Sequence, residues 1–117
     1  MMNDAALDQT MLALADSTRR AIVARLAEGE ARVTEIAEPF DMSLNAVSKH
    51  VRVLERAGLV RRDVRGREHH ISLDGAPLKA AADWIETYRV FWEQRLDALE
   101  AFLIEQRKEK EKDDDGR

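Results

Sequence analysis

Cysteine is absent from this sequence of 117 residues, and proline occurs only twice. Without cysteine the chain cannot form a disulfide, a thiolate nucleophile, or a zinc or arsenic site built on thiolates. No run of 18 apolar residues occurs, so the sequence predicts no transmembrane helix. The start, MMNDAALDQTMLALA, lacks the basic region and cleavage site of a signal peptide, and we therefore expect a cytoplasmic protein.

The chain has a net negative charge, but its positive charges are concentrated in one segment. The formal net charge of the chain is −4. Residues 43–72 contain seven Lys or Arg against three Asp or Glu, which gives that segment a net charge of +4. Local charge matters more than the total for binding a polyanion, so the acidic balance does not exclude a nucleic-acid partner.

Helical spacing and capping residues predict two helices at the start of the chain. The first covers 4–14. Its apolar face holds Leu7, Met11 and Leu14. A second helix follows an N-cap at Asp16 or Ser17 and stops at Gly29. The sequence EGEAR after it is predicted to be a short turn.

Two further helices, joined by a tight link, are predicted next. The third covers roughly 34–40, with Thr34 as its cap, and Pro39 limits its length. The fourth is capped by Ser43 and ends at Gly58. Short helices joined in this way are typical of a helix-turn-helix.

The hydrophobic period changes after the fourth helix. The sequence LVRRDVRGREHHISL alternates around a glycine, which predicts a two-stranded hairpin turning at residues 65–67. Pro77 suits the first turn of a long last helix over 77–105. The predicted fold is mainly α with a small β-hairpin wing, a dimeric winged helix-turn-helix of order α-α-α-α-β-β-α. We expect one DNA-binding and dimerisation domain over 1–105 and a charged, disordered tail over 106–117.

The fourth helix has an apolar sector and a basic one. Its apolar sector holds Leu44, Val47, Val51, Leu54 and Gly58, which we expect to pack on the preceding helices. Asn and Lys or Arg have donor and acceptor groups that match adenine and guanine edges in the major groove. We place these residues nearest the bases: Ser43, Asn45, Ala46, Ser48 and Lys49. Arg52 and Arg56 lie further back, where phosphates are expected. The alternative is an ordinary solvated helix face.

Arginines surround the predicted turn of the hairpin. Arg65 and Arg67 flank its glycine, and Arg61 and Arg62 come just before. A basic wing of this kind can lie along the DNA backbone or enter the minor groove. A solvated arginine turn is the alternative. We include Arg62, Arg65 and Arg67 among the expected DNA contacts.

The sequence resembles the ArsR/SmtB family of bacterial winged-helix repressors. The matching elements are LADSTRR, VTEIAE, S-x-x-x-V-S-K-H with V-L-E-x-A-G-L-V, and the basic G-R wing. They cover roughly residues 12–73 in register. The resemblance implies a homodimer, held by helices from both ends of the chain, that binds double-stranded DNA at near-palindromic operators and represses transcription. The closing WIETYRVFWEQRLDALEAFL resembles a branch of the family without metal sites.

The residues that metal sensing would require are missing. Sensors in this family use thiolates in the third helix, or Asp, His and Glu on the last helix. VTEIAEPF has no cysteine and the last helix has no histidine, so we expect no metal and no cofactor. No glycine-rich phosphate loop or nucleophile turn is visible either, and we predict that the protein is not an enzyme. The sequence does not identify an effector.

Three histidines remain to be placed. His50 lies about 60° from the apolar sector of its helix, so we expect it to be partly buried and hydrogen-bonded, or else close to DNA. His69 and His70 are neighbours in a strand and point to opposite faces. His69 shares a face with Ile71 and is expected to be half-buried, whereas His70 is expected to be exposed.

Aromatic residues cluster on the last helix. They could line a ligand pocket, but a dimer interface is the preferred interpretation, because aromatics are enriched at interfaces and a long helix needs a partner for its apolar face. The expected interface comprises Leu7, Met11, Trp84, Ile85, Tyr88, Trp92, Leu96 and Leu99. A winged helix that binds another protein and not DNA is the alternative function, because fold alone does not decide between the two.

Overall fold

Six helices and three strands follow one another in residues 4–115, the part of the chain that the computed structural model describes. The helices are α1 (Asp4–Leu14), α2 (Ser17–Leu26), α3 (Val33–Ala37), α4 (Leu44–Arg56), α5 (Ala76–Glu86) and α6 (Arg89–Asp115). The strands are β1 (Ala31–Arg32), β2 (Val60–Arg65) and β3 (Glu68–Leu73). This mainly α arrangement with a β-hairpin wing confirms the predicted winged helix-turn-helix. Positions 1–3 and 116–117, the ends of the predicted domain and tail, lie outside the described residues.

Side chains at the helix starts explain where α2 and α4 begin. The backbone N–H of Arg19 donates to Asp16 Oδ1 at 3.0 Å, and this bond is the main reason that the pKa of the Asp16 carboxyl is lowered. The N–H of Ala46 donates to Ser43 Oγ at 3.1 Å. Both predicted N-caps are therefore confirmed, with Asp16 as the cap of α2.

Helix α3 begins one residue earlier in the chain than predicted, at Val33 and not at Thr34. Arg32 is its N-cap, and the backbone N–H of Arg32 donates to Glu35 Oε1 at 3.1 Å. The carboxylate of a residue three positions on thus replaces the expected hydroxyl cap. The helix ends at Ala37, before Pro39.

The sheet has three strands in the order β1-β3-β2, and both pairings are antiparallel. In the β2–β3 hairpin, Arg62 lies opposite Ile71 and Arg65 lies opposite Glu68. Gly66 adopts a φ of +63° in the turn, as the predicted hairpin requires. The prediction that EGEAR is only a turn was wrong, because its Ala31 and Arg32 form β1. Two residues are too few to show strand alternation in a sequence.

The core lies between α2, α3, α4 and the sheet. Its fully buried side chains are Ile22, Ile36, Val47, Val51, Leu54, Leu59 and Ile71. Gly58, with a φ of +76°, ends α4 in the left-handed conformation, and Leu59 N–H then donates back to the carbonyl of Leu54 at 3.0 Å. The buried side chains of α4 and the hydrogen bond at its C-terminal end together fix the orientation of the helix.

The predicted single helix over 77–105 was wrong, since the structure has two helices there. Between them the Thr87 hydroxyl donates to the carbonyl of Trp84 at 2.6 Å, and Tyr88 N–H donates to the carbonyl of Ile85 at 3.0 Å. These bonds span three residues and not four, which tightens the chain and ends α5.

Helix α6 continues to Asp115, past the predicted end at residue 105. Its last turns consist mostly of Glu, Lys, Arg and Gln, which are good helix formers. The chain divides between Ala82 and Asp83 into two compact units. The limits of the predicted domain at 1–105 and of the tail at 106–117 stay a prediction.

Candidate nucleic-acid interface

Helix α4 turns its basic sector toward solvent because its opposite sector is fixed in the core. Val47, Val51 and Leu54 are fully buried. The residues on the other side are exposed: Asn45, Lys49, Arg52 and Arg56. Ser48 and Ala46 are partly exposed, and Ser43 is exposed at the cap. The predicted DNA-facing residues of this helix therefore share one solvent-accessible surface.

Four cations of this region are left without intramolecular partners. The side chains of Lys49, Arg52, Arg56 and Arg67 make no hydrogen bond or ion pair in the described part of the chain. Three of them lie on α4, and Arg67 lies in the hairpin turn. Unpaired, exposed cations are available to neutralise phosphates of a nucleic acid.

Arg62 is held by α4. Its Nη2 and Nε lie 3.2 and 3.3 Å from Glu55 Oε1, and its Nη1 lies 3.1 Å from His69 Nδ1. The Arg62 side chain is only 22% exposed. Glu55 thus connects the first strand of the wing to the helix, and the Arg62 charge is already partly compensated.

Arg65 is also paired. Its Nη1 donates to Glu30 Oε1 at 3.0 Å, and its Nε donates to Asp63 Oδ2 at 2.9 Å. Hydrogen bonds to Asp63 and then Glu30 raise the pKa of the guanidinium. The arginines of the wing therefore differ, because Arg67 at the turn has no such partner in the described residues.

An open cleft of about 410 Å³ lies between α3, α4 and the wing. Its lining residues are Arg32, Val33, Thr34, Leu44, Ser48, Arg52, Arg62, Arg67, Glu68 and His69. Arg32 and Arg62 are paired with carboxylates, whereas Arg52 and Arg67 have no such partner in the described residues and make this lining basic. Sequence analysis missed Arg32 and Thr34 here, because only the folded chain brings the start of α3 next to the wing.

Leu44 departs from its predicted position in the core. It is 48% exposed and lines the cleft together with Ser48, one helical turn further on. It is the first residue of α4, where the helix has only begun to pack on the core. The helical period assigned Leu44 to the apolar sector, but the position at the helix end decides its exposure.

His50 is partly buried and hydrogen-bonded, as one of its two predictions stated. Its Nδ1 lies 3.3 Å from Arg19 Nη1 and 4.0 Å from Asp16 Oδ1. Arg19 also donates to the carbonyls of Ala13 and Leu12, at 2.7 and 3.1 Å. His50 thereby connects α4 to the junction of α1 and α2. Contact of His50 with DNA stays a prediction.

The predicted exposures of the two neighbouring histidines were wrong, because they are reversed. His69 is exposed, since it lies near the tip of the hairpin, opposite Val64, which is also exposed. His70 is 17% exposed, with Nδ1 3.3 Å from Glu30 Oε1 and Nε2 3.2 Å from Glu68 Oε2. The core covers the face of β3 that carries His69 only near the base of the wing, at Ile71. The side chain of His70 is covered by Glu30 and Glu68.

The second unit, from Asp83 onward, exposes a long apolar face. Trp84, Ile85, Tyr88, Trp92, Leu96 and Leu99 are all exposed. The rings of Trp84 and Tyr88 meet edge to face with centroids 5.5 Å apart. In the first unit, Leu7 and Met11 on α1 are half-exposed. An exposed apolar face of this extent is typical of an interaction surface.

No group of three or more His, Cys, Asp or Glu suited to a metal ion occurs among the residues whose side chains the structure describes, 4–112. In the same range, no helix is both long and apolar enough to cross a membrane.

Comparisons with known proteins agree on one family. Residues 14–63 match the family described as "Helix-turn-helix domain". The chain is 40% identical over 89 residues to the HTH-type transcriptional regulator Rv2034 of Mycobacterium tuberculosis, covering 76% of this chain and 80% of Rv2034. It is 28% identical over 79 residues to the transcriptional repressor SdpR of Bacillus subtilis, covering 68% of this chain and 88% of SdpR.

A solved structure is similar as well. The crystal structure of the ArsR family transcriptional regulator RHA00566 superposes with a TM-score of 0.73 at 37% sequence identity. The match covers 79% of this chain and 95% of that one. The similarity therefore extends over nearly the whole length of that regulator.

Proposed function

Because this chain belongs to the ArsR/SmtB family of winged helix-turn-helix transcriptional regulators, we propose that it binds operator DNA as a homodimer and represses transcription there. The observation that carries the proposal is the row of exposed, unpaired cations on α4 beside the arginine of the wing turn. Its family consists of DNA-binding regulators and not of enzymes, and the cytoplasm is its proposed place of action.

Helix α4 is the recognition helix in this proposal. The first turns of such a helix enter the major groove, so Ser43, Asn45, Ala46, Ser48 and Lys49 lie nearest the base edges. Asn45 matches adenine and Lys49 matches guanine. Arg52 and Arg56, one and two turns further along, contact phosphates of the groove walls.

Arg67 is the main residue through which the wing contacts the flanking DNA backbone or the minor groove. Arg67 has no carboxylate partner in the described residues, so its full charge is available to DNA. Arg62 and Arg65 are paired with Glu55, Glu30 and Asp63, and any contact with phosphate must compete with these carboxylates. We therefore assign Arg62 and Arg65 chiefly to positioning the wing.

Dimerisation follows from the exposed apolar residues. The faces of α5 and α6, together with Leu7 and Met11 of α1, are proposed to pack against a second copy of the chain. Isologous pairing would place two recognition helices about one turn of DNA apart, roughly 34–36 Å, on a near-palindromic operator. Repression is the expected outcome because SdpR, a similar protein, is a transcriptional repressor.

A mobility-shift titration tests the proposal. The protein is titrated against its own promoter DNA and against random DNA at several salt concentrations. Specific binding that weakens steeply with salt is expected. Absence of any specific shift, even at low salt, would refute DNA binding and favour a winged helix that binds another protein.

A further inference from the structure

Leu44 occupies an unusual place for an apolar side chain. It is the first residue of the recognition helix, and almost half of its surface is exposed. Val47, Val51 and Leu54 on the same helix are, in contrast, fully buried. Its exposed part is therefore accessible to a ligand in the cleft.

The cleft around Leu44 is otherwise polar. Four arginines, a glutamate, a threonine, a serine and a histidine line it, and the remaining apolar residue, Val33, packs partly against the core. Leu44 is thus the exposed apolar group of a basic cleft. Its surroundings match a ligand that combines many negative charges with a small apolar group.

We infer that Leu44 reads the C5-methyl group of a thymine in the major groove. Duplex DNA presents phosphates on both walls of this groove, and the thymine methyl is the apolar group on its floor. The N-terminal residues of a recognition helix are those that reach base edges. The inference rests on the proposed function, and it adds thymine at a defined operator position to the polar contacts of Asn45 and Lys49.

Ser48 supports the same geometry. It follows Leu44 by four residues, lies on the same side of α4, and lines the same cleft. A hydroxyl can bond either to a base or to a phosphate. Leu44 and Ser48, one helical turn apart, therefore suit a thymine methyl group and a neighbouring polar group along the groove.

Replacing thymine by deoxyuridine tests this directly, because it removes only the methyl group. A preferred duplex is first selected from a random-sequence library with the wild-type chain. Each thymine, with its symmetry mate, is then replaced by deoxyuridine in turn. At one position we expect wild-type affinity to fall about three- to tenfold per methyl contact.

The matching protein variant is Leu44→Ala. Its affinity for the thymine duplex should fall by a similar factor, and deoxyuridine at the same position should cause no further loss. Leu44→Met keeps an apolar contact and should stay sensitive to the replacement. The other thymines of the duplex are internal controls, at which wild type and Leu44→Ala should respond alike. Thermal unfolding checks that both variants fold.

The failures can be told apart. If the wild type selects no preferred duplex, the proposed function fails. If it selects one but no deoxyuridine replacement weakens its binding, or if the losses from Leu44→Ala and from deoxyuridine simply multiply at every position, only the assignment of Leu44 is overturned. Should Leu44→Ala fail to fold, the same comparison is made with Leu44→Gln, which removes the apolar contact at an exposed position.

Discussion

Arg62 Nη2 lies 3.2 Å from Glu55 Oε1, and this contact joins the first strand of the wing to the recognition helix. Both side chains are partly buried, at 22% and 36% exposure. The two elements proposed to contact DNA are therefore positioned relative to each other by a charged pair as well as by the core.

Breaking this pair should destabilise the protein. Glu55→Gln keeps the shape of the side chain but leaves the half-buried guanidinium without a counter-charge, which we expect to cost about 1 kcal/mol. Urea unfolding of Glu55→Gln, Arg62→Gln and the double variant measures the coupling energy. Arg61→Gln, which loses the more exposed pair with Asp74, is the control and should change stability less. Strictly additive effects of the Glu55 and Arg62 changes would contradict the coupling.

Asn45→Ala and Lys49→Ala should relax sequence specificity. If each side chain bonds to a base, its loss costs about 1–3 kcal/mol on the preferred duplex and little on random DNA. Fluorescence anisotropy on both duplexes gives the specificity ratio. Arg56→Ala is the matched control, because loss of a phosphate contact weakens binding equally on both. The same uniform loss for Asn45→Ala or Lys49→Ala would place those residues on phosphates.

Arg67→Ala should reduce the salt dependence of binding. Removing one phosphate contact lowers the slope of log K against log salt by about 1. Arg65→Ala should lower it less, because Arg65 is already paired with Glu30 and Asp63. The slope is measured by anisotropy titrations at four or more salt concentrations. An unchanged slope in the double variant would show that the wing does not contact DNA.

Trp92→Asp should dissociate the proposed dimer. The side chain is 42% exposed within one chain, and a charge there would be buried unpaired in the interface. Sedimentation velocity should show a monomer for this variant. Gln94→Asp adds the same charge at a polar, exposed position of α6 and should remain dimeric. An intact Trp92→Asp dimer would refute the interface.

Acid should weaken the cap of α2. The N–H of Arg19 lowers the pKa of Asp16 below its ordinary value of 3.8, so the bond stabilises the fold above that pH and is lost as the pH falls through the lowered pKa. Asp16→Asn keeps a good N-cap without the titration. Urea unfolding between pH 2 and 7 measures the free energy of unfolding of both proteins. As the pH falls, the wild type should therefore lose stability relative to Asp16→Asn. A difference that does not vary with pH would contradict this role.

Local chemistry made several of these features predictable. Ser43 was predicted as one cap and Asp16 or Ser17 as the other, because a cap needs only a side-chain oxygen and an amide two or three residues away. The turn at Gly66 was likewise predictable, since alternation and a glycine in the left-handed conformation are properties of neighbouring residues. The ArsR/SmtB resemblance rested on the same continuous motifs.

Other features depend on residues far apart in the chain. Strand β1 exists only because β3 pairs with it, and the pairing of Arg65 depends on Glu30, which lies 35 residues away. The reversed exposures of His69 and His70 arise because alternation along a strand gives the face but not what covers that face.

The sequence by itself determined the first four helices, the cap of α4, the hairpin turn and the basic sector of α4, because these follow from periodicity and short-range hydrogen bonds. Only the tertiary structure decided which cations are free. Glu55 on α4 pairs with Arg62 and Glu30 pairs with Arg65, whereas the side chains of Lys49, Arg52, Arg56 and Arg67 have no partner in the described residues. It also decided that Leu44 faces a basic cleft, since exposure at a helix end depends on what the rest of the chain packs against it.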